Sequence, residues 1–329
     1  MNVEALFSSF SQKRIIVLGD VMIDAYLRGK VTRISPEAPV PIIELSKSED
    51  RLGGAANVAL NLLALGATPI LCAVIGEDEG ARTFDDLLKK QGLSSEGIVN
   101  DGNRKTTIKT RVIGNNQHLL RIDEEETGFI SVEQEDAIVL RVKKLIDQGV
   151  DALIIEDYNK GLLSKRVIEE TIKLANDNNV IITVDPKKEN FFAFKNVTLF
   201  KPNLKELKEG LNVEFDFENN RNDFEAAIQQ LEEKLNNKMS FVTLSEHGVF
   251  IKDKSGKHYS PAHIRNIADV SGAGDTVISV ATLCLTAGLT PELVAEIANL
   301  SGGLVCEFSG VVPINKELLM NEVKQIIEE

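Results

Sequence analysis

The chain of 329 residues carries 37 Lys and Arg against 50 Asp and Glu, a formal net charge of −13, with 43% hydrophobic and 26% charged residues. This composition suits a chain that buries a sizeable core in one or two domains, and its acidic balance opposes nucleic acid or an anionic membrane surface as partner. Cys72, Cys284 and Cys306 lie in apolar stretches without a CxxC pair and are expected as reduced core residues, not as a disulfide framework or zinc site.

The first fourteen residues show no apolar h-region and no small-residue cleavage pattern. The longest apolar run, 277–289, contains Ser279, Thr282 and Thr286 and is too short for a bilayer span. A soluble, cytoplasmic protein is expected.

In chain order, apolar runs ending in polar residues alternate with helical periods. The run 15–18 delivers Gly19-Asp20, and a helix is predicted over 55–65 behind Gly53-Gly54. The run 70–75 ends at Gly76, before a predicted helix over 81–91. A helix over 132–148 leads to the run 153–155 and Glu156-Asp157, and Ser164 reads as N-cap of a helix over 165–178. Runs 180–184, 197–200 and 241–244 end in Asp185-Pro186, Lys201-Pro202-Asn203 and Ser245-Glu246, with a helix over 223–235 between the last two. Helices over 275–287, 291–306 and 316–327 close the chain, the second with Thr290 as N-cap and Pro291 at its first position. The pattern predicts an α/β fold, a mostly parallel sheet covered on both faces by helices. Ligands in such sheets bind beyond the carboxyl ends of the strands, which here carry Asp, Glu, Asn and Ser.

Two stretches break the rhythm. Residues 26–50 lack a helical period, and 105–123 alternate, with Thr106, Ile108, Thr110 and Val112 on one side and a turn at Gly114-Asn115-Asn116. They read as antiparallel strands outside the main sheet, either a surface hairpin or a small β lid on a single domain spanning residues 1–329. Unpaired lid edges make pairing between subunits, and so a homodimer, the expected assembly.

The segment Asp269-Val270-Ser271-Gly272-Ala273-Gly274-Asp275-Thr276 precedes an apolar helix. Small residues at 272–274 let the backbone turn tightly and point N–H groups at an anion, and the helix start adds partial positive charge. Asp275 would then lie beside that anion, where a carboxylate can take a proton from an attacking hydroxyl. The alternative is a plain glycine turn with Asp275 as an ordinary N-cap. The segment fits neither the P-loop pattern nor the dinucleotide-binding one. Asp20 and Asp24 after the first strand, with Gly53-Gly54-Ala55-Ala56-Asn57, suit a polyhydroxylated substrate, or else a simple βα turn with Asp20 as local cap. Asn203 and Glu206 share one face of a helix's first turn, as a water-bridged Mg²⁺ site or as a helix N-terminus. His118, His247, His258 and His263 show no ligand spacing.

Together these segments resemble the ribokinase-like carbohydrate kinase family over essentially the whole chain. AspValSerGlyAlaGlyAspThr at 269–276, GlyGly…Asn at 53–57, AsnLeuLysGlu at 203–206 and ThrLeuSerGluHisGly at 243–248 match its motifs in order. Within it, the stretches at 17–26, 33–42, 53–59, 157–161, 185–187 and 202–206 resemble the D-glycero-β-D-manno-heptose-7-phosphate kinases of ADP-heptose synthesis. ArgIleSerProGluAlaProValPro is the branch-specific part. Bifunctional relatives continue into a nucleotidyltransferase domain with HxGH; this chain carries no HxGH and is expected to be the kinase alone.

The resemblance implies ATP and Mg²⁺, with K⁺ as a further cation. Asp275 is then the base and Gly272, Ala273 and Gly274 the anion hole. Asp24, Gly54 and Asn57 lie on the sugar, and Asn203, Ser245, Gly248 and Asn299 near the nucleotide. Glu206 holds Mg²⁺ through water, and Asp269 and Ser271 a monovalent cation. Lys160, Lys187, Arg111 and Arg121 are the candidates for the substrate's phosphate. The activity implied is phosphorylation of the anomeric hydroxyl of heptose 7-phosphate. The rival readings are another sugar or nucleoside kinase and a catalytically silent sugar-phosphate sensor.

Overall fold

The computed structural model describes residues 2–263 and 265–328; Met1, Ile264 and Glu329, within the expected 1–329 domain, lie outside it. The chain opens with α1 (Val3–Ser9), β1 (Arg14–Gly19), β2 (Val21–Ile34), β3 (Pro41–Gly54), α2 (Ala55–Ala64), β4 (Thr68–Gly76) and α3 (Glu79–Gln91). Next come β5 (Ile98–Asp101), β6 (Ile108–Gly114), β7 (Gln117–Glu124), α4 (Val132–Asp147), β8 (Ala152–Glu156), α5 (Lys165–Asp177), β9 (Ile181–Asp185) and β10 (Leu199–Phe200). The chain closes with α6 (Leu204–Leu211), α7 (Arg221–Leu235), β11 (Met239–Thr243), β12 (Val249–Asp253), β13 (Gly256–Ser260), α8 (Ala273–Thr286), α9 (Pro291–Val305) and α10 (Lys316–Glu328).

Nine strands form the main sheet in the order β13-β12-β11-β10-β9-β8-β1-β4-β5. All its pairs are parallel except β11 with β12 and β12 with β13. The α/β expectation holds. Alternate residues of β1 explain the layering: Ile15 and Val17 join a core with α2, α8 and α9, while Ile16 and Leu18 join one with α4, α5 and α7. Gly19, Glu156 and Asp185 pair in one row at the carboxyl ends of β1, β8 and β9, and Phe200 beside Val184 brings Lys201 level with Asp185.

The remaining strands form a second sheet in the order β3-β2-β6-β7. It starts where β1 ends: β2 runs out from Val21, and β3 returns to deliver Gly53-Gly54 to the start of α2. Asp24 pairs with Arg51 and Lys109, and Tyr26 with Glu49 and Arg111, so one face is charged. On the opposite face of β7, Leu120 and Ile122 are exposed.

Candidate active site

Gly272 precedes α8 in the left-handed region, at φ +80°, and no side chain caps the helix. A Cβ at Gly272 would lie 2.9 Å from Asn57 Nδ2, so the bend needs glycine. The first N–H groups of α8 therefore have no side-chain cap, as anion binding requires, and Ala273 N makes a long 3.3 Å bond to Val270 O. Across the turn, a Cβ on Gly274 would stand 3.5 Å from Asp185 Oδ2 and 3.6 Å from Lys201 Nζ. Those two groups form an ion pair of 2.6 Å with both side chains buried. Burial pulls the Lys201 ammonium down, but Asp185, Glu206 and Glu156 together hold it above its ordinary value.

Asp275 is buried, and both its oxygens are held: Asn57 Nδ2 donates to Oδ2 at 2.7 Å and the Tyr158 hydroxyl to Oδ1 at 2.8 Å. Burial pushes its carboxyl up to about 6 against the lowering effect of those two bonds. Asn57 is 1% exposed and its Oδ1 has no partner among the described residues, which leaves a buried acceptor beside Asp275. Glu156 Oε2 is likewise buried and, among the described residues, unpartnered, and burial together with the charges of Asp185 and Asp275 raises that carboxyl well above its usual range.

Gly54 has φ +61°, and a Cβ there would meet Asp20 O at 2.5 Å. A Cβ on Gly53 would lie 2.3 Å from Asp24 Oδ2, so the glycine pair lets Asp24 sit over this turn. Asp24 accepts from Arg111 Nη1 at 2.5 Å. Asp20 accepts from the backbone N–H groups of Tyr158, Lys160 and Leu162, which makes it the anchor of the loop carrying Tyr158. Lys160 reaches Glu125 at 3.0 Å.

Asn203 and Glu206 form a reciprocal capping box: Glu206 N donates to Asn203 Oδ1 at 2.8 Å and Asn203 N to Glu206 Oε2 at 2.9 Å. Glu206 Oε1 faces Lys187 Nζ. With one oxygen used by the cap, the carboxylate suits an ion bridged through water better than one bound directly. Ser245 has φ +55° and Gly248 φ +87°, and a Cβ on Gly248 would strike Ser260 O at 2.1 Å. Asn299 Nδ2 donates to Ser260 Oγ at 3.1 Å and Pro261 O at 2.7 Å, which ties α9 to that turn. Asp269 accepts from Ser271 N at 3.0 Å and from Gly310 N at 2.9 Å, drawing the 306–310 turn toward the head of α8.

The structure thus gathers Asp24, Gly54, Asn57, Lys187, Glu206 and Gly272–Asp275 near the row Gly19, Glu156 and Asp185. It does not gather Arg121, whose exposed guanidinium pairs with Asp123 on its own strand at 2.8 Å. Tyr158, Lys201, Asp185 and Glu156 were not singled out by the motifs as chemical groups. The available signal was position, since each follows or ends a predicted strand.

The family description pfkB family carbohydrate kinase matches residues 12–317. The chain belongs to the pfkB family of carbohydrate kinases. The chemistry of a pfkB-family kinase is phosphoryl transfer to a sugar hydroxyl. The bifunctional protein HldE of Helicobacter pylori strain HPAG1 is 38% identical over 299 residues, 89% of this kinase and 62% of that protein. The same-named protein of Methylobacillus flagellatus is 37% identical over 310 residues, 94% of this chain and 63% of its own. This chain therefore spans under two thirds of the length of these curated relatives. Phosphofructokinase-2 of Escherichia coli in complex with potassium superposes with a TM-score of 0.78 at 17% identity, covering 96% of this chain and 99% of that one. Ribokinase of Arabidopsis thaliana complexed with ribose and ATP gives a TM-score of 0.70 at 15% identity, covering 94% and 98%. At such identities these two establish the fold of this pfkB-family kinase.

Proposed function

We propose that this chain transfers the γ-phosphoryl group of ATP to the anomeric hydroxyl of D-glycero-β-D-manno-heptose 7-phosphate. The observation that carries the transfer is Asp275, held on both oxygens at the head of an uncapped helix. The heptose reading rests on the ArgIleSerProGluAlaProValPro stretch and on the relatives named HldE.

Asp275 accepts the proton as the anomeric oxygen forms its bond to the γ-phosphorus and the bond to the bridging oxygen of ADP breaks. The N–H groups of Gly272–Gly274 and the Lys201 ammonium face the transferring group, where fixed donors cost no reorganisation. Asp24 and Asn57 Oδ1 accept from sugar hydroxyls. The Mg²⁺ of the nucleotide would sit near Glu206 and Asp185 and would neutralise phosphate charge. Ser245, Gly248 and Asn299 shape the base side of the nucleotide pocket. Asp269 and Ser271, with the 306–310 turn, are the place for K⁺. Lys160, Lys187 and Arg111 take the substrate's 7-phosphate, and Arg104 and Lys105 line an opening beside Asp20 together with Lys160.

The second sheet acts as the lid of a single domain and excludes water, which would otherwise hydrolyse ATP. Its exposed apolar face pairs two copies into a homodimer. Among the described residues no helix is long and apolar enough to cross a membrane. The cytoplasm is the proposed location, and three buried free thiols suit such a reducing compartment.

ADP release with Mg-ATP over heptose 7-phosphate, sedoheptulose 7-phosphate, fructose, fructose 6-phosphate, ribose and adenosine tests the reading. Preference for heptose 7-phosphate supports it. Preference for an unphosphorylated sugar overturns the heptose assignment, and binding without turnover anywhere overturns catalysis.

A further inference from the structure

Asp275 is gripped from two sides, and one grip lies outside the motifs assigned to sugar, nucleotide or metal. Asn57 holds Oδ2, whereas the hydroxyl on Oδ1 belongs to Tyr158, in the loop after β8. That loop is pinned by three backbone N–H bonds to the buried Asp20. The ring has a second neighbour, Lys187 Nζ, 5.7 Å from its centroid, and Lys187 in turn faces Glu206. Tyr158 therefore stands between the candidate base and the Lys187–Glu206 pair.

We infer that Tyr158 is a positioning residue for Asp275, its hydroxyl holding the carboxylate in the orientation from which it takes the acceptor's proton. The inference rests on the reading of Asp275 as base. One donor on each oxygen fixes the plane of the carboxylate, and each oxygen keeps a lone pair for the incoming hydroxyl. Tyr158 serves only as donor: desolvation of its hydroxyl, then the charges of Asp275, Glu156 and Asp185, keep the phenol protonated far above neutrality. The groups that face Asp275 are Asn57 from α2, Glu156 at the end of β8, Tyr158, Asp185 at the end of β9 and Lys201 after β10. Of these, Asn57, Tyr158 and Lys201 favour the carboxylate and Asp185 opposes it. Losing the phenol leaves the acid form of Asp275 favoured to a higher pH.

Tyr158→Phe keeps the ring and its contact with Lys187 and deletes the bond. With heptose 7-phosphate and Mg-ATP, kcat falls about tenfold, as for one lost charge-assisted hydrogen bond. KM values for both substrates stay within about threefold, and the acid limb of kcat/KM moves up by about one pH unit. In an Asp275→Asn background, adding Tyr158→Phe changes the residual rate by less than about twofold, because the two act as a unit. An unchanged kcat and acid limb, or an undiminished tenfold effect in the Asp275→Asn background, overturns the inference. If Tyr158→Phe does not fold, 3-fluorotyrosine labelling replaces it: a more acidic phenol donates more strongly and moves the acid limb down, and an unmoved limb counts against Tyr158. An Asp275→Asn enzyme that keeps more than about a tenth of the rate removes the base itself. An inert Asp275→Asn beside an unaffected Tyr158→Phe removes only the role of Tyr158.

Discussion

As the proposed base, Asp275 combines two requirements that pull against each other. Burial makes the carboxylate basic enough to take a proton near neutrality, and donors from Asn57 and Tyr158 keep it ionised enough to be ready. With its carboxyl pushed up to about 6, the acid limb of kcat/KM falls near pH 6, and activity is lost as pH drops below it. The same shift affects stability. The folded state holds this proton more tightly than the unfolded chain, whose value is 3.8, so the contribution favours folding below the unfolded value and is lost as pH rises through about 6. Asp275→Asn removes that loss. Its stability relative to wild type should improve by about 2–3 kcal/mol between about pH 4 and pH 7.5, measured by denaturant unfolding. A difference that does not change with pH would contradict the buried, titrating carboxylate. Gly274→Ala offers a second residue-scale check. Its Cβ would meet Asp185 and Lys201 only at ordinary contact distance, so the fold tolerates it. The methyl group nonetheless fills the space between the turn and Lys201, and kcat should drop about tenfold or more with the melting temperature retained.

At the scale of elements, the site exists because β1, β8, β9 and β10 end in one row and because α2 and α8 start at that row. The loop carrying Tyr158 owes its place to Asp20, so Asp20→Ala strands three backbone N–H groups. It should cost about 3 kcal/mol or more and lower kcat through a displaced Tyr158. An unchanged melting temperature would contradict that anchoring role. The continuous apolar runs made β1, β4, β8 and β11 legible, and the eight helices with expected bounds fell within two residues of them, whereas of α6 only the first turn was expected. The antiparallel edge β12–β13 was not legible, because Gly248, Gly256 and the interspersed Lys and Asp residues interrupt any alternation. Nor was α1, a short helix whose capping by Asn2 gives little signal in the chain alone. The β2–β3 ribbon is longer than the expected 26–50 because its buried base continues through Val21–Asp24 and Arg51–Gly54.

At the scale of the whole molecule, the main sheet aligns charged strand ends, and the second sheet grows from the end of β1 through β2 and is the proposed lid. The contact between Asn57 and Asp275 joins residues 218 positions apart, which no local spacing reveals. Matching motifs brought both residues to attention, whereas Tyr158 carried no signal as a single residue. The NxxE pattern also proved to be two things at once, a capping box and an acidic group facing Lys187. The proposed homodimer uses the exposed Leu120 and Ile122 of the second sheet. Replacing both by Lys should shift sedimentation from dimer to monomer, and an unchanged sedimentation coefficient would place any interface elsewhere. The most direct test of the account is turnover of heptose 7-phosphate with Mg-ATP by wild type and Asp275→Asn side by side. The account predicts a wild-type rate that falls by about 10²–10⁴-fold in the variant while the fold is kept. A variant that retains more than about a tenth of the rate, or a wild type inert on this sugar, would contradict it.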